Sequence, residues 1–145
     1  MTVDAVAKRL GGKRVLKREV RSELEFIAAV RAGLPARALD EICLELAPTV
    51  GQMEIYRAVG SVRTLQRKRA ARAALSADES DRLARLARLL VRAEEALGDR
   101  TKAHQWLSRR NRVLGDQRPL SLLDSDTGAS AVERELGRIE HGIFS

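Results

Sequence analysis

Two Ser-x-x-Glu boxes, Ser22 with Glu25 and Ser76 with Glu79, each precede an apolar run that a glycine closes, at Gly33 and Gly98. A serine that accepts from the third following amide, with a glutamate reaching back, opens a helix, and a glycine that turns left-handed closes one. Between the boxes, Pro35 suits the first turn of another helix, and Leu39, Ile42, Cys43 and Leu46 fall at i, i+3, i+4 and i+7, a single buried stripe. In the first run Leu24, Ile27, Ala28 and Val30 supply the apolar side. The 145 residues hold only four aromatics (Phe26, Tyr56, Trp106, Phe144) and three prolines, with 44% hydrophobic and 32% charged residues. Aliphatic helix formers on this scale predict an all-α chain with enough apolar surface for a core, and argue against a sandwich, a barrel or wholesale disorder.

Charge divides the chain. Residues 1–75 carry 15 Lys and Arg against 8 Asp and Glu, whereas residues 76–145 carry 12 of each, so the whole net charge of +7 lies in the first half. A basic unit joined to a neutral one suggests a polyanion binder attached to a module with another task, although basic chains are also met that are merely soluble. No apolar stretch reaches the ~18 residues that span a bilayer, and the N-terminus has no signal core, so a soluble, cytoplasmic protein without membrane contact is expected. The single cysteine allows no internal disulfide; within the stripe, Cys43 reads as an inert small hydrophobe. His104 and His141 form no recognisable zinc set. No phosphate loop, dinucleotide fingerprint or nucleophile elbow is present, and the carboxylates sit where capping and solubility explain them, so no enzyme activity and no cofactor are expected.

Residues 1–21 are strongly basic (Lys8, Arg9, Lys13, Arg14, Lys17, Arg18, Arg21) and interrupted by Gly11-Gly12; they read as a flexible or weakly helical arm. Residues 22–75 read as a helical module. Pro48 is expected to end its second helix and Thr49 to cap a third, from about Val50 to Val59, with Met53, Ile55, Tyr56 and Val59 apolar. Gly60-Ser61 is then a tight turn, and Ser61 caps a helix carrying VRTLQRKRAARAAL. Two short helices across a glycine turn, the second one basic, form the pattern of a helix-turn-helix. No acidic residue lies between Glu54 and Asp78, whereas Arg57, Arg63, Arg67, Lys68, Arg69 and Arg72 do. Arg63 and Arg67 share a face, with Thr64 and Lys68 beside them and Val62 and Leu65 on the anchoring side. Long donors are what guanine edges and phosphate oxygens require, so Ser61, Arg63, Thr64, Gln66, Arg67, Lys68 and Arg69 are the candidate DNA-binding residues.

Residues 76–145 read as a second helical module. Its long first helix buries Leu83, Leu86, Leu90, Ala93 and Leu97, while Arg82, Arg85, Arg88 and Arg92 follow the outer side and read as a solvated face offset by neighbouring acids. Asp99 caps a short helix with Ala103, Trp106 and Leu107 inward; Trp106 is read as core, the other possibility being an interface. A loop with Asn111 and Gly115, a turn opened by Pro119, and a last helix with Val132, Leu136 and Ile139 complete it.

From Ser76 to Ser145 the chain resembles the Xre/MbcA/ParS antitoxin family, the partners of RES-domain toxins. The resemblance is carried in order by ESDRLARLARLL, Gly98-Asp99, Lys102-Ala103, Trp106-Leu107, Asn111, Leu114-Gly115, PLSLL from Pro119, Gly128, Val132 and LGRIEHGIF. Upstream, RTLQRK resembles the DNA-reading helix of the same family, although the turn VGS before it is idiosyncratic; residues 1–21 lie outside the resemblance. The family implies an antitoxin of a type II toxin–antitoxin system, a homodimer that assembles into a higher-order complex. It implies neutralisation of a RES-domain toxin by direct contact and repression of the chain's own operon through its operator DNA. Such toxins act on NAD, which would belong to the partner's pocket, blocked by the antitoxin's C-terminal segment. The other reading is a stand-alone helix-turn-helix regulator whose second half dimerises.

Two readings of the chain end are open. Phe144 could fold back near Leu136 or Ile139. Alternatively, Arg138, Glu140, His141, Gly142, Ile143, Phe144 and Ser145 form the toxin-binding plug, with Gly142 turning the chain and Ile143 and Phe144 burying apolar area.

Overall fold

The computed structural model describes residues 2–142, and its described residues are helical with no strand. In chain order the elements are α1 (Val3–Arg9), α2 (Gly12–Leu16), α3 (Glu23–Ala32), α4 (Ala36–Val50), α5 (Gln52–Val59), α6 (Val62–Ala71), α7 (Ala77–Leu97), α8 (Arg100–Ser108) and α9 (Asp126–Glu140), with short 3-10 turns at Arg112–Leu114 and Pro119–Leu122. The sequence-predicted starts are met: Ser22, Ser61, Ser76 and Asp99 each cap a helix, and Ser76 with Glu79 forms the full reciprocal box. Ile143, Phe144 and Ser145 lie outside the described residues, and with them the fold-back expected for Phe144.

α7 is the axis. Leu83, Leu86, Ala87, Leu90 and Ala93 are fully buried on it, and Leu89 and Val91 nearly so, because helices pack on it from several sides: α1, α3 and α5 from upstream, α8 and α9 from downstream. Both halves of the chain therefore share one hydrophobic cluster.

Several expectations are corrected. Residues 1–21 are not a loose arm: Val6, Ala7, Leu10, Val15, Leu16 and Val20 are buried between the cations, and α1 packs on α7 and α3 while α2 packs on α4. The Gly11-Gly12 break, both residues at positive φ, divides the apolar pattern into two short pieces that no single helical period reveals. On α3 the inward face is Phe26 and Ala29; Leu24 is 78% exposed and Ala28 also faces outward. The ring of Phe26 offers the most apolar area and sets the rotation of this helix. Pro48 does not end α4 but lies in its last turn, where the lost N–H is one bond only. The break falls at Gly51, which caps both flanking helices at φ +86° in place of Thr49. Met53 stays 46% exposed at the start of α5, whereas Ile55, Tyr56 and Val59 are buried as expected.

A short clasp closes the helix-turn-helix unit. Ala36 N–H donates to Ala73 C=O (3.0 Å), Leu75 N–H to Leu34 C=O (2.8 Å), and Leu34 N–H to Ser80 Oγ (2.8 Å). Gly33 makes the approach possible, since a Cβ there would lie 2.6 Å from Leu75 C=O. The end of α6 is thereby fixed against the start of α4.

Leu10 is fully buried in the segment that reads as an arm. Leu10→Ala is expected to cost ~2–5 kcal/mol, as for other core leucines. Thermal or urea unfolding checks this; a change within ~0.5 kcal/mol, typical of surface sites, would mean that α1 is not part of the core.

Candidate nucleic-acid interface

α6 is amphipathic in a way that sorts its cations. Leu65 is fully buried and Val62 and Thr64 half-buried, which turns Arg63, Gln66, Arg67 and Ala70 outward. Ser61 accepts from Thr64 N–H (3.4 Å) and is occupied as the cap. Lys68 and Arg69, although basic, are turned inward. Lys68 Nζ lies 2.5 Å from Glu79 Oε1 on α7, with both side chains largely buried. Arg69 pairs with Asp40 on α4, donates to the Tyr56 hydroxyl on α5, and stands 5.6 Å from the centre of the Tyr56 ring. Half-buried pairs of this kind fix orientation; removing one partner strands a charge. Of the seven sequence-predicted residues, the structure thus presents Arg63, Gln66 and Arg67 to solvent together and uses Lys68 and Arg69 as anchors. Neither Arg63 nor Arg67 makes an ion pair among the described residues.

Glu79 does two jobs. Its Oε1 accepts from Ser76 N–H (2.8 Å), completing the cap of α7, and from Lys68. Burial pushes its carboxyl up, but the hydrogen bonds from Lys68 and Ser76 and the Lys68 charge outweigh that and hold it below the ordinary value. Cys43 has the reverse environment. Burial pushes its thiol up to about 11, with the Arg69 charge opposing and Asp40 reinforcing, so it remains a neutral thiol, consistent with the inert reading.

The arginine row of α7 is not a solvated face. Arg85 binds Asp126 of α9, Asp81 (3.2 Å) and Leu123 C=O (3.2 Å). Arg88 reaches Glu23 of α3 (2.8 Å) and lies 5.2 Å from the centre of the Phe26 ring, and Arg92 reaches Glu140 of α9 (2.5 Å). The row ties α3 and α9 to the axis, which no local pattern announces because the partners lie 38 to 65 residues away.

A second charged hub joins four helices. Arg9 of α1 forks between Glu45 of α4 (2.6 Å) and Glu94 of α7; Arg100 of α8 adds a contact to Glu94 (3.0 Å), and buried His104 Nε2 stands 3.6 Å from Glu45 Oε1. Glu45, Glu94 and His104 place ligand-type atoms within 4.8 Å of one another, the one such group among the described residues. Two arginines already neutralise both carboxylates, so the hub is a structural ion-pair network. Trp106 is half-buried against the core, between the two readings given it; the fully buried residues beside it on α8 are Ala103 and Leu107.

At the end of α9, Arg138 pairs with Glu135 (3.2 Å) and Glu140 with Arg92. The hydrogen bond from Arg92 lowers the Glu140 carboxyl below its ordinary value against a weaker opposing effect of burial. His141 is exposed, and Gly142 takes a positive φ of +70°.

An all-helical chain with a capped basic helix after a glycine turn and a second helical unit packed on the shared axis defines a helix-turn-helix protein with an appended module. Residues 25–88 match the antitoxin Xre-like helix-turn-helix domain, and residues 92–142 match the antitoxin Xre/MbcA/ParS C-terminal toxin-binding domain. An Antitoxin Xre of Photorhabdus laumondii is 39% identical over 120 residues, 81% of this chain and 80% of the relative. An Antitoxin Xre of Yersinia enterocolitica is 36% identical over 122 residues, 83% and 81% of the two chains. The chain belongs to the Xre antitoxin family. The first matched domain runs into α7, as the shared core requires, and α1 and α2 precede it. No helix among the described residues is long and apolar enough to cross a membrane.

Because the Glu79 carboxyl is lowered by folding, its contribution to stability is complete above the unfolded value of about 4.3 and is lost as pH falls through the folded value. Melting temperature followed from pH 6 to pH 3 is therefore expected to fall more steeply for the wild type than for Glu79→Gln. Parallel curves would contradict the assignment.

Proposed function

We propose that this antitoxin represses its own operon through α6 and neutralises a RES-domain toxin with its C-terminal segment. The observation that carries the first part is the sorting of cations on α6: Arg63, Gln66 and Arg67 face outward together while Lys68 and Arg69 are held by Glu79 and Asp40. Arginine can grip the O6 and N7 edge of guanine with two hydrogen bonds, and glutamine can do the same for adenine, so this trio is suited to the major groove. Ser61 and Thr64 at the start of the helix would meet phosphate, as helix N-termini do. A homodimer would place two such helices on half-sites about 34–36 Å apart.

For the second part the resemblance supplies the partner class, and the tail supplies the means. In this reading the end of α9 from Arg138, with the residues from His141 to Ser145 that follow it, enters the toxin, and Ile143 and Phe144 fill a pocket that otherwise holds NAD. Arg138 and Glu140 are occupied within this chain by Glu135 and Arg92, so contact with toxin would either exchange these partners or rest on His141 and the residues beyond.

Arg63→Ala with Arg67→Ala is expected to fold normally and to lose operator affinity. A position that reads a base costs ~1–3 kcal/mol, and one that meets phosphate flattens the logarithmic salt slope by about 0.9. Unchanged binding of a promoter duplex across salt would remove α6 as the reader. Deletion of residues 141–145 is expected to leave melting and DNA binding intact but to abolish growth rescue when co-expressed with the toxin. Full rescue by the truncated chain would refute the plug.

A further inference from the structure

α1 and α2 precede the matched domains, and α2 helps build a groove beside α6. The groove, about 460 Å³, is lined by Val15 and Lys17 of α2 and its cap, Pro35, Arg37 and Asp40 at the start of α4, and Arg69 and Arg72 at the end of α6. Asp40 and Arg69 are paired with each other. Lys17, Arg37 and Arg72 are exposed and make no ion pair or side-chain hydrogen bond among the described residues, which leaves three uncompensated cations around one concavity.

Each of the three stands where its own backbone disfavours it. Lys17 and Arg72 are C-caps in the left-handed region, at φ 60° and 53°, positions that glycine fills at no steric cost. Arg37 lies in the first turn of α4, which has no acidic residue, so a cation sits at the positive end of the helix. Places where local rules are broken together are commonly functional. The clasp from Leu34–Ala36 to Ala73–Leu75 holds the start of α4 against the end of α6 at this point, so the groove lies at the C-terminal end of the helix that carries Arg63 and Arg67.

We propose that this groove seats phosphates of the same DNA duplex that α6 enters, so that α2 extends the footprint beyond the helix-turn-helix. This rests on the DNA reading above. Cations that touch phosphate release counterions and set the salt dependence of binding without reading sequence.

The test uses the full chain and a duplex covering the promoter of its own operon, with affinity measured by anisotropy from 50 to 300 mM salt. The variant is Lys17→Gly, Arg37→Gln, Arg72→Gly. A control of equal charge loss is Arg109→Gln, Arg110→Gln, Arg112→Gln. Three lost phosphate contacts flatten the slope of log K against log salt by about 2.7, at about 0.9 each, with the control near wild type. The glycines relieve the left-handed backbone, so the groove variant is expected to melt no lower than wild type while binding DNA more weakly. A groove variant with the wild-type slope, or a control that drops equally, overturns the inference while leaving α6 as the reader. Failure of the wild type to bind the duplex at all overturns the DNA reading and this inference with it.

Discussion

Glu79 is the joint on which the arrangement turns. One carboxylate closes the first turn of α7 through Ser76 and holds Lys68 of α6 through Oε1. The helix that carries the shared core and the helix that faces outward are thereby fixed to each other by a largely buried acid. Arg69 adds the second restraint through Asp40 and Tyr56, and with two points fixed α6 cannot roll. What remains free on its outer side is the set that long-range chemistry can use.

The same economy recurs along α7. Arg85, Arg88 and Arg92 look like a solvent-facing row but each is spent on a neighbouring helix, and Arg9 ties α1 to α4 and α7 at the far side. The net charge of +7 is therefore not spread evenly over the surface; many cations are neutralised within the fold. Among the described residues, those without an ion-pair partner include Arg63 and Arg67 on α6 and Lys17, Arg37 and Arg72 around the neighbouring groove.

Much of the fold was legible in the sequence because helix ends are local. Ser22, Ser61, Ser76, Asp99, Gly33 and Gly98 announce themselves within a few residues, and the α4 stripe of Leu39, Ile42, Cys43 and Leu46 is a single periodic run. What was not legible depended on partners distant in the chain. Nothing near Lys68 or Arg69 tells that Glu79 and Asp40 will take them out of the candidate interface, and nothing near Val15 tells that it is buried beneath α4. Phe26 misled in another way, since one large ring outweighed the smaller residues that seemed to define the α3 face. The family resemblance covered the helix-turn-helix and the toxin-binding module; the match at residues 25–88 holds RTLQRK and also most of ESDRLARLARLL, which the resemblance had placed in the second module, and the match at residues 92–142 holds the motifs from Gly98-Asp99 to Gly142. It had no bearing on α1 and α2, which physical reading alone had to place.

α6 is held with Arg63 and Arg67 on its outer side, where we propose that a duplex docks, and with Arg69 toward the core. Arginine Nε–H resonances report this without altering the chain. On titration with the promoter duplex, the account predicts that the Arg63 and Arg67 signals shift while the Arg69 signal stays in place. A shift of Arg69 with Arg63 and Arg67 unmoved would contradict it.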